Sequence, residues 1–240
     1  MSAPAPPVAV RSRDTTYPLS RRQAAANQLL EIMRARIIRG ELPPGSRIIE
    51  RALCEEMNIS RTPLREALKL LELDGLVDLT QNRGARVSTF TAEEALNLFE
   101  VLAGLEGLAA ELAVTRIDEA SLETLERLHD QMQRCFDTGD KDGYFDLNST
   151  IHSRIIEASG NPVLAHTQRA LMLRAKRGRY MAIVDPDRWE QALGEHDALM
   201  NAFRQGDAQT AGRIWRTHLM HTGETVARVL QNEGPNEAYA

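Results

Sequence analysis

The sequence predicts a mainly α chain in two units: a small helix-and-hairpin module, then an all-α six-helix bundle. Three observations predict it. Apolar residues recur at threes and fours from Arg21 to about Asp74 and again from Thr91 to about Glu233, the period of a helix. Strand-like alternation is confined to Leu76–Thr89 and is folded in two by Gln81-Asn82-Arg83-Gly84. Charge is also divided: residues 1–90 carry 14 Lys/Arg against 10 Asp/Glu, and residues 91–240 carry 15 against 24. The net −5 is therefore a +4 unit joined to a −9 unit, an asymmetry that points to different partners.

In chain order, residues 1–20 are rich in Pro, Ala, Ser and Thr without apolar periodicity and read as a tail. A helix begins at Arg21, with Leu29, Leu30, Met33 and Ile37 on one face. Gly40 stops it, and Pro43-Pro44-Gly45 forms a rigid turn. A short helix follows near Glu50–Met57, then the turn Asn58-Ile59-Ser60, then a helix from Arg61 to Asp74 closed by Gly75. Leu76–Thr80 and Ala85–Thr89 make the hairpin. Helix, helix, turn, helix and hairpin in that order spell a winged helix-turn-helix over residues 21–90. Residues 91–234 then read as six helices, broken near Ile117-Asp118, Gly139-Asp140, Gly160-Asn161-Pro162, Asp185-Pro186 and Gly206-Asp207.

Composition narrows the function classes. Hydrophobic content of 42% and charged content of 26% are globular values, which excludes wholesale disorder and collagen-like repeats. No run of about 18 apolar residues is present, so no membrane span is expected. The N-terminus has no apolar signal region, and Cys54 and Cys135 lack CxxC spacing; a reduced, cytoplasmic compartment fits best.

A helix-turn-helix reads DNA with the N-terminus of its second helix in the major groove. Here that start is Ser60-Arg61-Thr62-Pro63-Leu64-Arg65. Ser60 is placed to N-cap the helix, and Pro63 suits a first turn. Arg61 and Arg65 lie one turn apart, and arginine is the commonest bidentate partner of guanine. Leu64, Ala67, Leu68 and Leu71 form the opposite, core-facing side. Arg51 precedes them and Arg83-Gly84 tips the hairpin, where Gly84 permits a positive φ and Arg83 can meet phosphate or a minor groove. The competing reading, a solvated arginine face, explains two arginines but not the whole arrangement.

The stretch from Ile37 to Thr91, with SRTPLREAL and LELDGLV at its centre, resembles the DNA-binding domain of the GntR superfamily of bacterial transcription regulators. The resemblance implies DNA contacts at Arg51, Ser60, Arg61, Thr62 and Arg65, with the wing contributing around Arg83 and Gly84. It also implies a dimer on double-stranded DNA with short inverted repeats, repression being the family's commoner mode.

Helical wheels place three histidines inward on three separate helices. His152 falls with Asn148 inside the arc of Tyr144, Leu147, Ile151 and Ile155; His196 sits amid Leu193, Leu199, Met200 and Phe203; His218 shares the face of Ala211, Ile214, Val226 and Val229. His129 and His166 show no comparable grouping. Buried polar groups need partners, and three imidazoles with an amide oxygen suit a divalent transition metal of the Zn, Ni or Mn class. Three independent core histidines, each bonded to a carbonyl, is the alternative.

FDLNSTIHSRIIEASGNPVL and GEHDALMNAFRQGDAQTAGRIWRTHL resemble the all-helical effector domain of the FadR subfamily, the FCD type. The resemblance implies metal ligands at Asn148 (often Asp in relatives), His152, His196 and His218, and a small organic-acid effector. Many relatives carry an Arg one turn before the glutamate of the first effector-domain helix; this chain has Leu102-Ala103-Gly104-Leu105-Glu106. Arg174, within the arc of Leu164, Leu171 and Met181, is the candidate replacement counter-charge, a snorkelling or ion-paired arginine being the other reading.

The leading expectation is a ligand-responsive transcription regulator, not an enzyme. Two others stay open: a metal-dependent hydrolase in the C-terminal half, which lacks HExxH and an evident general base, and a helical dimer with purely structural histidines.

Overall fold

In the computed structural model, which describes residues 21–80 and 84–232, nine helices and three short strands follow one another. The proposed tail over 1–20 and the turn residues Gln81, Asn82 and Arg83 lie outside the described residues.

The N-terminal module consists of α1 (Arg21–Ile38), β1 (Arg47–Ile48), α2 (Glu50–Glu56), α3 (Arg61–Leu73), β2 (Val77–Thr80) and β3 (Gly84–Val87). Its core joins Leu29, Met33 and Ile37 of α1 to Leu64, Leu68 and Leu71 of α3 and to Val77, Ala85 and Val87 of the sheet. The strands are antiparallel in the order β1-β3-β2, with Val77 opposite Val87 and Leu79 opposite Ala85. β1 was not expected. At two residues it is too short to alternate, and only its pairing with β3 (Arg47 opposite Arg86, Ile48 opposite Ala85) makes it a strand.

The helical domain runs through α4 (Ala92–Arg116), α5 (Glu119–Thr138), α6 (Lys141–Ala158), α7 (Pro162–Val184), α8 (Pro186–Gln205) and α9 (Ala208–Asn232). The helix boundaries follow local chemistry. Thr91 and Glu94 form a reciprocal capping box at α4. Asp118, Asp140, Asn161 and Asp185 accept backbone N–H groups at the next four starts. Pro162 and Pro186 open their helices, and Gly206 closes α8 at φ +67°.

α4 and α9 pack closely because glycines let them approach. A Cβ on Gly107 would stand 3.1 Å from the Gly212 carbonyl, and one on Gly223 would stand 2.6 Å from Phe99 Cβ. Together with α6, α7 and α8 they enclose the polar centre described next.

α7 serves both units. Its Leu173 packs against the core of the N-terminal module, Arg177 Nη1 donates to the Ser88 carbonyl at 2.6 Å, and Arg177 lies over the Phe90 ring at 5.4 Å. A second tie runs from Arg39, at the end of α1, to Asp142 and Asp146 of α6 at 3.2 and 3.0 Å.

Candidate functional site: a basic groove and a buried histidine centre

The groove follows from the amphipathicity of α3. Leu64, Ala67, Leu68 and Leu71 are buried on one side, which turns Arg61, Thr62 and Arg65 to solvent. A groove of about 480 Å3 is lined by Arg47, Arg51, Arg61, Arg65 and Gly84, among others. Arg65 Nε donates to Glu50 Oε2 at 3.0 Å, fastening α3 to α2, and Arg51 lies 3.8 Å from Glu55. Among the described residues Arg47 and Arg61 enter no ion pair. Gly84 begins β3 at φ +86°, the left-handed conformation that its lack of a Cβ permits. Ser60 occupies the N-cap by its backbone, but its hydroxyl makes no capping bond. Arg83 lies outside the described residues. Arg47 is an addition: nothing in its sequence setting singles it out, and β1 carries it to the groove.

The second site is the histidine centre. His152 of α6, His196 of α8 and His218 of α9 are fully buried, and one ring nitrogen from each lies within 4.8 Å of the others. Asn148, one turn before His152, is buried too. Its Oδ1, His152 Nε2 and both nitrogens of His196 meet no hydrogen-bond partner among the described residues. Buried polar atoms are rarely left this way, so the lone pairs of Asn148 Oδ1, His152 Nε2 and one of the two His196 nitrogens fit a cation.

Carboxylates surround the imidazoles. His152 Nδ1 is hydrogen-bonded to Glu106 of α4, which also accepts from Gln168 Nε2 of α7 at 3.0 Å. Glu195 of α8 holds Nδ1 of His218 and of His221, each at 2.6 Å. With its Nδ1 proton given to a carboxylate, an imidazole keeps a free lone pair on Nε2, the arrangement that orients metal-ligating histidines.

The electrostatics agree. Burial pushes His152 and His196 well below the ordinary histidine value and His218 down to about 4, so the rings are neutral at physiological pH. Burial also pushes the Glu106 carboxyl up, against the pull of Arg179 and Gln168. Burial would raise Glu195 as well, but His218, Arg188 and His221 outweigh it and hold the carboxyl at about 2.

Arg174 is not at this centre. It is exposed, its aliphatic stem lies against Gly75 of the N-terminal module, and its charge acts on Glu94. The apolar arc that suggested otherwise belongs to a helix facing two different neighbours, so one arc does not map onto one cavity. The buried counter-charges are Arg179 of α7 and Arg188 of α8. Residues 171–190 gave no sequence signal for them, because a charged residue on an apolar helix is ordinarily at its rim. His129 needs a similar correction: it is buried, stacked on His196 at 6.4 Å between centroids, and bonded through Nε2 to Asp197 at 2.7 Å.

A family model described as bacterial regulatory proteins, gntR family, matches residues 25–87, and an FCD domain model matches residues 97–221. The chain belongs to the GntR family of regulators. The FCD match alone covers more than half of it. This regulator is similar to YdhC, an HTH-type transcriptional regulator of Bacillus subtilis, at 27% identity over 87% of this chain and 94% of that one. It is also similar to RspR, an HTH-type transcriptional repressor of Escherichia coli, at 24% identity over 87% and 92%. Its fold is that of E. coli McbR/YncC (TM-score 0.72, 21% identity, 88% and 99% covered) and of a GntR regulator from Rhodococcus (0.71, 23%, 85% and 97%). It is a DNA-binding transcription regulator with an N-terminal winged helix-turn-helix and a helical FCD domain.

Proposed function

We propose that this regulator is a metal-dependent sensor of a small organic acid that works as a repressor, bound as a homodimer to DNA carrying short inverted repeats. The observation that carries the reading is the set of three buried, neutral imidazoles with a nitrogen of each within 4.8 Å of the others, those of His152 and His196 including unpartnered ones, backed by two carboxylates. His152, His196 and His218, with Asn148, would hold a divalent ion of the Zn, Ni or Mn class. When bound, such an ion supplies positive charge and open coordination positions for a ligand oxygen. Asn148 is neutral where relatives often have aspartate, which leaves anionic charge to be provided by the ligand.

The reader is the groove: Arg51, Ser60, Arg61, Thr62 and Arg65 on α2 and α3, joined by Arg47, with Arg83 and Gly84 at the wing. Residues 21–90 form the reader and 91–234 the sensing and dimerising unit. α7 supports coupling between them, because it gives Gln168 to Glu106, Arg179 to the centre, and Arg177 to the Ser88 carbonyl. A ligand that prefers one setting of α7 shifts operator affinity by its difference in affinity for the two settings.

Homodimerisation is supported by α4. Leu98, Val101, Leu105, Leu108 and Leu112 recur at threes and fours along one side, and Val101 and Leu108 remain 52% and 42% exposed. That is the stripe a second copy of the helix would cover, and a two-fold dimer matches an inverted repeat. No helix among the described residues is long and apolar enough to cross a membrane, and a cytoplasmic site follows from DNA as the partner.

A hydrolytic reading has less support, because Glu195, held at about 2, is a weak base and Glu106 is engaged by His152 and Gln168. The deciding experiment joins metal analysis of the purified protein to footprinting on the DNA flanking its own gene. The reading requires a bound metal that His152→Ala and His196→Ala remove, and a salt-sensitive protected palindrome. A metal-free protein would leave the histidines structural; absence of a protected palindrome would count against the regulator acting there.

A further inference from the structure

Of the 29 lysine and arginine residues, only Lys69, Lys141 and Lys176 are lysines. Two of them are engaged. Lys69 lies 3.1 Å from Glu66, and Lys141 donates to the Val184 carbonyl at 3.3 Å with the Trp189 ring centre 5.5 Å away. Lys176 of α7 differs: it is half-buried and, among the described residues, enters no hydrogen bond or ion pair. It lines a cleft of about 560 Å3 between the two units. Ile38 of α1 forms one wall, and Phe145 of α6 and Leu173 of α7 stand beside Lys176 on the other.

The other cations of this cleft are held in close pairs: Arg34 by Glu31 and Asp74, Arg39 by Asp142 and Asp146, and Arg154 by Glu157. Lys176 is the one whose charge can be removed without breaking such a pair. Glu31 of α1 and Asp146 of α6 act on its ammonium from farther off, one from each unit, so the charge draws the units together. Burial, with Arg179 adding to it, outweighs those carboxylates and holds the ammonium below the ordinary lysine value. More of the uncharged amine, the nucleophilic form, is therefore present at neutral pH than at an exposed lysine. The amine borders open space, apolar side chains stand beside it for a short acyl group, and the lining carries four cations against three carboxylates. That balance favours an acyl donor with an anionic leaving group.

We propose that Lys176 is a site of Nε-acylation by small acyl phosphates, and that its acylation loosens the seat of α1 on α6 and α7. The amine nitrogen attacks the acyl carbonyl carbon. A C–N bond forms, the C–O bond to phosphate breaks, phosphate leaves with the bonding pair, and the amine proton passes to solvent. The product is a neutral amide. Glu31 and Asp146 lose the cation on which both act, and the charges lining the cleft become three against three. The proposal is independent of what the histidine centre binds.

The test is incubation of the full-length protein with acetyl phosphate over a pH series, with mass-spectrometric peptide mapping of all three lysines. Lys176 should take the largest share of the label among them, and its rate should level off at lower pH than that of Lys69. Labelling in order of exposure, with Lys69 ahead, would overturn the assignment. Hydrogen exchange reads the second part. Acetylated protein should exchange the amides of α1 about 1.5- to 5-fold faster, the scale of one weak charge pair, and Lys176→Gln should do so without reagent. Lys176→Arg, which keeps the charge and cannot be acylated under these conditions, should show no change after the same treatment. Unchanged exchange in the acetylated protein, or an equal rise in the treated arginine variant, would overturn the loosening. Should a variant not fold, the division of label among the wild-type lysines and the exchange of the acetylated wild type still decide.

Discussion

Glu106 of α4 and His152 of α6 share one proton in a hydrogen bond sealed from solvent. Forty-six residues separate them in the chain, and their contact fixes which face His152 turns toward His196 and His218. A second carboxylate, Glu195, does the same for His218. The histidine centre is therefore a set of oriented imidazoles.

Removing that orientation has a predictable cost. Glu106→Gln keeps the shape and loses the charge that accepts the His152 proton, so metal affinity should fall by about 10–100-fold. Competition with a colorimetric chelator measures it. Unchanged affinity would mean that Glu106 does not act on the metal through His152.

Acid should destabilise the metal-free protein. Burial holds His152 and His196 well below 6.5 and His218 at about 4, whereas an unfolded histidine titrates near 6.5. Below that pH the unfolded chain binds protons that the folded chain refuses, so stability falls as pH falls. Glu106 acts in the opposite sense, since its raised carboxyl keeps a proton to higher pH when folded; three histidines outweigh one carboxyl. Glu195, held at about 2 against 4.5, extends the loss below pH 4.5. The urea midpoint should be lower at pH 5 than at pH 7.5, and an equal or higher midpoint at pH 5 would contradict the assignment.

The groove arginines should separate into two kinds. Arg61→Ala at the start of α3 should cost about 1–3 kcal/mol of operator affinity and relax discrimination at one base position. Arg47→Ala on β1 should weaken binding to any duplex and lower the salt slope by about one. Fluorescence anisotropy with operator and scrambled DNA across a salt series distinguishes them; identical behaviour of the two variants would refute the division.

Arg177 joins α7 to the DNA-reading module through the Ser88 carbonyl. Arg177→Ala should leave acid binding to the helical domain near wild type and reduce the effect of the acid on operator affinity, by about 0.5–2 kcal/mol of coupling. Measuring operator affinity with and without saturating acid tests it. Full coupling in the variant would place the link elsewhere, for example at Arg39 and Asp146.

Gly223→Ala tests the packing of α9 on α4. Its new Cβ would lie 2.6 Å from Phe99 Cβ, an atom that cannot move without the α4 backbone, so a loss of about 1–3 kcal/mol is expected in denaturant unfolding. A neutral result would show that the two helices separate easily.

The sequence by itself determined the helices, because their signals are local. Asp118, Asp140, Asn161 and Asp185 cap their own starts, glycine and proline mark the ends, and apolar spacing fixes each inner face. The same spacing turned Arg61 and Arg65 outward on α3 and turned His152, His196 and His218 inward on three helices. What tertiary structure alone decided is which inward faces meet and what stands behind them. β1 exists only through its partner strand, and Arg47 reaches the groove only through β1. Glu195 is beside His218 and not beside the face of its neighbour His196, because α8 and α9 pack that way. Arg174 and Arg179 are five residues apart on one helix, yet one lies at the N-terminal module and the other at the histidine centre. A helical wheel measures direction about an axis; it does not say which neighbour occupies that direction at each height along the helix.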